Sequence, residues 1–248
     1  MPRARIGQKE LNYEERGRGT AVLCMPGALG TGSSDFRPQL EVWSSQFQVI
    51  APDPSGYGRS RPPDRDFSRD FFTEDALEMG RLMEDLGHRA FHLVGFSDGA
   101  NSAALLAAKF PEKVLKLVIW GGNSYLAKED IEGLEKTRLI SSWSPRMRES
   151  LEAVYGSSLQ SIWSGYCDSI RSRFETAPNI CRNELAYIRC PSLILHGAHD
   201  PIVAPHHAQT FQDGIKNSRI HFLPNGRHNI HLSQADEFNR LVADFFHE

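Results

Sequence analysis

The chain has 248 residues, 40% hydrophobic and 24% charged, with 28 basic side chains against 31 acidic ones and a net charge of −3. That length and mixture suit one large globular domain with a substantial core and exclude a disordered chain. The small, scattered charge excludes a global pull toward nucleic acid or an anionic membrane, and no apolar run approaches the length of a bilayer span.

The N-terminal residues Met1-Pro2-Arg3-Ala4-Arg5-Ile6 are too few and too polar for a secretory signal. The arginines could be the stub of an organellar presequence, but strand-like sequence begins almost at once. Short apolar runs then recur, each closed by turn residues. They are Ala21–Met25 before Pro26-Gly27, Phe47–Ala51 before Asp53-Pro54, Phe91–Phe96 before Ser97, Val114–Trp120 before Gly121-Gly122, and Pro191–His196 before Gly197. Continuous apolar runs of this length read as strands of a parallel sheet buried on both faces. A further short strand spans Arg219–Leu223.

Between them, Thr73–Leu86 carries Ala76, Leu77, Met79, Leu82, Met83 and Leu86 at helical spacing. Asn101–Lys109 is rich in Ala and Leu, and Ala235–Phe246 closes the chain as an amphipathic helix. Strand–helix alternation predicts a doubly wound, mostly parallel α/β sheet. Residues 123–184 break the rhythm: this stretch has no convincing strand and is rich in Ser, Arg, Trp and Tyr. We read residues 1–122 and 185–248 as the core and 123–184 as a helical lid over a site at the strand ends. Its aromatics Trp143, Tyr155, Trp163 and Tyr166 are candidates for the lining of that site, although such residues also serve as core.

Gly95-Phe96-Ser97-Asp98-Gly99 matches G-x-S-x-G between an apolar strand and an Ala-rich helix, the setting of a nucleophile elbow. The strand-to-helix turn is so sharp that the residues on either side must be small, which accounts for Gly95 and Gly99. The hydroxyl is thereby exposed at a helix N-terminus, where amides face developing negative charge.

A serine needs a base. Of ten histidines, His228 follows the last strand in the loop 224–228 and so can reach the nucleophile. His231, one turn further on, is its rival but should point along the helix. The acid that orients the imidazole is read as Asp200, directly after the penultimate strand. The preceding strand ends in Trp120-Gly121-Gly122-Asn123, with no carboxylate before Glu129. Asp200 before Pro201 could also be a turn residue, but the order Ser97, Asp200, His228 is that of the α/β-hydrolase fold. For the oxyanion hole we expect the backbone N–H of Asp98 and that of Ala28, in the loop 26–30.

The side chain of Asp98 is out of place beside an oxyanion. At ~7 Å and an effective dielectric of ~20, two negative charges repel by about 2.4 kcal/mol. A substrate ammonium would remove that penalty; alternatively, Asp98 merely stabilises the N-terminus of its helix. These two readings weigh equally on physical grounds.

Several motifs carry a resemblance. They are Gly56-Tyr57-Gly58-Arg59-Ser60-Arg61-Pro62-Pro63-Asp64-Arg65-Asp66-Phe67, Gly95–Gly99, Val118–Asn123, Asn179-Ile180-Cys181-Arg182, His196-Gly197 with Asp200-Pro201, and Gly226-Arg227-His228-Asn229-Ile230-His231-Leu232. Together they resemble the valacyclovir hydrolase, or biphenyl hydrolase-like, proteins over nearly the whole chain. The resemblance implies a serine esterase for α-amino acid esters, with Asp98 reading the free amine. The chain departs from it at Phe96, where tryptophan is expected, and at Ser55, where arginine is expected. Rival readings are a general carboxylesterase or carbon–carbon bond hydrolase with the same triad, and a non-catalytic receptor on the same fold.

The expected partner is a small-molecule ester, with no nucleic acid, no membrane, no metal and no cofactor. We expect a monomer. Cys24, Cys167, Cys181 and Cys190 lack metal-site spacing and read as reduced thiols. An intracellular protein is therefore expected, cytoplasmic or mitochondrial.

Overall fold

The structure is a computed structural model and describes residues 2–68 and 70–248. In chain order its strands and helices are β1 (Arg3–Ile6), β2 (Lys9–Arg16), β3 (Ala21–Met25), α1 (Gly32–Val42), β4 (Gln48–Pro52), α2 (Phe71–Asp85), β5 (Phe91–Phe96), α3 (Asp98–Lys109), β6 (Val114–Trp120), α4 (Lys128–Lys136), α5 (Pro145–Tyr155), α6 (Leu159–Thr176), β7 (Ser192–Gly197), α7 (Pro205–Gly214), β8 (Ser218–Leu223), α8 (Ile230–Ser233) and α9 (Ala235–His247). Among the described residues the strands form one eight-stranded sheet in the order β1-β2-β4-β3-β5-β6-β7-β8. β1 and β2 run antiparallel to their neighbours and every other pairing is parallel.

The continuous apolar runs are explained by two cores, one on each face. Along β5, Phe91 and Leu93 face the first core and Val94 and Phe96 the second. On β6, Leu117 and Ile119 alternate in the same way with Val118 and Trp120. This is the period-two alternation of a strand, with apolar partners waiting on both sides. The first core packs under α2, α3 and α7, through residues such as Met79, Leu106 and Phe211; the second packs under α1 and α9, through Phe36, Leu40, Phe238 and Phe245.

α1 has no counterpart among the helices expected from periodicity. Its Ser-rich start and Pro38 disfavour a helix. Thr31 nevertheless caps it in a reciprocal capping box, and the helix absorbs the proline with a kink at Phe36. Phe36 and Leu40 then bury fully against the sheet. The helix after the elbow starts at Asp98, three residues earlier than composition alone suggested.

Residues 123–184 contribute α4, α5 and α6 and no strand of the sheet. The two ends of this insertion are tied together. Tyr125 and Asn179 form an isolated antiparallel bridge, and the Ser124 carbonyl accepts from the amides of Ile180, Cys181 and Arg182 at 2.9–3.0 Å. Among the described residues, no helix is long and apolar enough to cross a membrane.

Candidate active site

Ser97 sits between β5 and α3 at φ 55° and ψ −120°, a left-handed backbone that is costly for a residue with a side chain. The turn is enforced by contact on both sides. A Cβ on Gly95 would lie 2.4 Å from the Gly99 carbonyl oxygen, and one on Gly99 would lie 2.1 Å from that of Met25. Only hydrogen fits at either position. Ser97 donates its amide to the Trp120 carbonyl at 2.9 Å, which fixes the elbow to the end of β6.

His228 and Asp200 come from the loops after β8 and β7 and meet side by side. Nδ1 of His228 lies 2.8 Å from Oδ2 of Asp200, whose carboxyl is almost wholly buried. The other oxygen accepts from the amides of Ile202 at 2.8 Å and Val203 at 3.1 Å. Burial pushes this carboxyl up, but its hydrogen bonds from His228 and the two amides outweigh that and hold it below the usual carboxylate range. The Phe96 ring lies 5.0 Å from the His228 ring, and a Cβ on Gly121 would come within 2.9 Å of His228. The histidine therefore stands over the carboxyl ends of β5 and β6, where Ser97 lies.

His231 is placed quite differently. It is fully buried, lies tilted against Phe96 with ring centroids 4.4 Å apart, and accepts from Trp120 Nε1 at 3.0 Å through its Nδ1. Burial, with the charge of His228 adding to it, pushes its pKa down to about 3. It is a neutral ring that packs α8 against the sheet.

The loop 26–30 runs beside the elbow: a Cβ on Gly27 would lie 3.1 Å from Ser97 Cβ. Its amides are mostly taken. Gly27 N–H donates to Asp35 Oδ2 at 3.0 Å, and Gly30 N–H closes a turn on the Gly27 carbonyl at 3.0 Å. Thr31 N–H donates to the Ser34 hydroxyl, and Gly32 N–H to Asp53. Among the described residues Ala28 N–H has no acceptor, while the Leu29 amide faces the Tyr57 hydroxyl. Asp35, which nothing local in the sequence singles out, thus anchors the loop from below. Burial raises its carboxyl to about 6, against the Gly27 and Ser34 hydrogen bonds that lower it.

Ser97 and Asp98 both open onto a cavity of about 260 Å3, whose far wall comes from the helical insertion and whose near side includes Pro201–Val203. Trp143, Trp163 and Tyr166 line it; Tyr155 does not, and belongs instead to a buried cluster with Leu29, Tyr57 and Leu159. The expectation for Tyr155 is corrected accordingly. Its hydroxyl bonds drew it toward the loop rather than the cavity. Asp98 is half-buried, and its Oδ1 accepts from the Tyr166 hydroxyl at 3.0 Å. Among the described residues no basic side chain pairs with Asp98, and none lines the cavity. Burial raises the Asp98 carboxyl to about 7, although the Tyr166 hydrogen bond and the more distant Arg65 charge lower it. In the sequence Tyr166 is only one lid aromatic among four. Its partnership with Asp98 spans 68 residues and has no local signal.

Residues 20–149 match the α/β hydrolase fold family. The chain is 46% identical to serine hydrolase BPHL of Mus musculus over 240 residues, which is 95% of this chain and 82% of that protein. It is equally similar to its counterpart from Homo sapiens over 241 residues, with the same coverage. A meta-cleavage product hydrolase from Pseudomonas fluorescens superposes with a TM-score of 0.82 at 23% identity, over 96% of this chain and 94% of that one. That likeness speaks for the fold alone. The sheet, the elbow and the match along nearly the whole chain together place it: this protein belongs to the α/β-hydrolase fold and, within it, to the biphenyl hydrolase-like (valacyclovir hydrolase) family of serine hydrolases.

Proposed function

We propose that this chain is a serine esterase that hydrolyses esters of α-amino acids. Ser97 Oγ attacks the ester carbonyl while His228 takes its proton, and Asp200 orients the ring and stabilises the imidazolium. The amides of Ala28 and Asp98 receive the oxyanion. His228 then returns the proton to the leaving alcohol, and an acyl-enzyme forms on Ser97. Water attacks that ester by the same route, giving up a proton to His228, and releases the amino acid. The segment 123–184 acts as a lid that shapes the acyl and leaving-group pocket.

One observation carries the specificity. A carboxyl without a basic partner stands next to the nucleophile in a cavity that no cationic side chain lines. Burial raises its pKa because the surroundings support the anion poorly. The α-ammonium of an aminoacyl ester lies a bond or two from the scissile carbonyl and can supply the missing counter-charge at that place. A small amino thiolactone has the same arrangement and fits the same chemistry. The resemblance to valacyclovir hydrolases points the same way. The test compares kcat/KM for an α-aminoacyl ester with its des-amino analogue. A strong preference for the amino ester is expected, and equal rates would make the protein a general carboxylesterase.

A further inference from the structure

The loop 26–30 contains a strain that its own sequence does not explain. The Gly30-to-Gly27 hydrogen bond makes residues 27–30 a four-residue turn, and its third residue, Leu29, has φ 61°. That position of such a turn ordinarily takes glycine, because a side chain there crowds the backbone. Relaxing Leu29 into the ordinary region would turn over the Ala28–Leu29 peptide next to Ser97. Something outside the turn must hold it.

Two contacts do so, and both involve the helical insertion. The Tyr155 hydroxyl, at the end of α5, donates to the Leu29 carbonyl at 2.8 Å and accepts from the Gly58 amide at 3.3 Å. The Leu29 side chain is 2% exposed and packs in the cluster formed by Tyr155, Leu159, Ile162, Trp143 and Tyr57. The phenol is held edge-on to Tyr57, with ring centroids 6.2 Å apart, and burial keeps it protonated and therefore a donor. On the opposite side Asp35 holds Gly27 N–H. The turn is thus gripped at both ends, and its unpaired amide, that of Ala28, lies between the grips.

We infer that Tyr155 is a positioning residue that couples the helical insertion to the oxyanion loop: its hydroxyl holds Leu29 in the left-handed turn that presents the free Ala28 amide to the oxyanion. This rests on the reading of Ser97 as nucleophile and of Ala28 as donor. The hydroxyl touches no substrate and does not face the cavity. It acts on the transition state through the loop, so the insertion contributes to turnover as well as to binding.

Tyr155→Phe keeps the ring and its packing and removes only the two hydrogen bonds. With an α-aminoacyl ester, kcat should fall about 10- to 100-fold, because a donor misplaced by a fraction of an ångström loses much of its worth. KM should stay within about twofold. A simple alkylboronic acid gives the second readout. Ser97 Oγ adds to boron as its proton passes to His228, and the tetrahedral anion places an oxygen in the oxyanion hole. Boronate affinity should fall in parallel with kcat. A merely structural tyrosine would leave both unchanged in a variant that thermal melting shows to be folded, or would raise KM alone; either result overturns the inference. Boronate affinity that survives Ser97→Ala in the parent enzyme would instead remove the nucleophile reading, and this inference with it.

Discussion

Replacing Asp98 by Asn isolates the proposed ammonium interaction. The amide keeps the shape of the side chain and an oxygen that can accept from Tyr166, and it loses only the charge. The oxyanion donor at this position is backbone and survives. In the free enzyme the carboxyl's ionisation is displaced from 3.8 to about 7. At 1.36 kcal/mol per unit this displacement corresponds to about 4 kcal/mol of unfavourable ionisation. A bound ammonium recovers part of that. Because the group is only half-buried, solvent screens the rest, and about 1.5–3 kcal/mol remains for a charge-assisted pair. Asp98→Asn should therefore lower kcat/KM for an α-aminoacyl ester by about 10- to 150-fold. The matching des-amino ester should be unaffected or slightly faster, because a negative charge next to the oxyanion has gone. The assay is the amino to des-amino ratio of kcat/KM in parent and variant. A ratio that does not fall in a folded Asp98→Asn protein would refute the pairing. Asp98 would then be a helix N-terminal charge, and its elevated pKa only a sign of burial.

With kcat/KM expressed per ammonium form of the amino ester, the same ratio has a pH dependence of known sign. In the parent, Asp98 becomes anionic as pH rises through about 7, so the preference for the ammonium form should rise over that interval, and in Asp98→Asn this rise should vanish. The carboxyl is raised on folding, so the stability it confers is present when protonated and is lost as pH climbs toward and past about 7. Asp98→Asn should accordingly melt higher than the parent at pH 8 and lose that advantage near pH 4. Ser97→Ala should abolish ester hydrolysis and leave the melting temperature close to that of the parent, and His228→Ala should cost about as much activity, since the two act as a unit. His231→Ala should chiefly lower thermal stability, because it leaves a cavity beside Phe96 and Trp120. If His231→Ala instead loses activity while its melting is unchanged, the choice of base was wrong. Gly99→Ala would drive a methyl to 2.1 Å from the Met25 carbonyl oxygen. Relief would cost about 1–3 kcal/mol, a drop of roughly 2–12 °C in melting temperature, and should push loop 26–30 away from Ser97. Melting and turnover that are both unchanged would show that the elbow tolerates the methyl.

Sequence alone determined what depends on short-range sterics and periodicity. The runs at 21–25, 91–96 and 114–120 are strands with the bounds their composition indicates, because each must find apolar partners on both faces. The elbow is legible because the clash that excludes a Cβ at Gly95 is with Gly99 itself, four residues away. The candidate residues Ser97, Asp200 and His228 could be named because each closely follows a strand, and parallel strands deliver their carboxyl ends to one edge. Tertiary structure decided the remainder. Helix α1 forms over a Ser- and Pro-bearing stretch because Phe36 and Leu40 have a sheet to bury against. Tyr155 and Tyr166 are indistinguishable as aromatics of one insertion. Yet one hydroxyl meets a carbonyl of the loop after β3 and the other a carboxyl at the start of α3. The difference between His228 and His231 is similar: one ring meets Asp200 and the other Trp120. These contacts join segments 28 to 126 residues apart. Local sequence encodes the turn that exposes a side chain, but its partner is supplied by whichever distant element the packed sheet brings alongside.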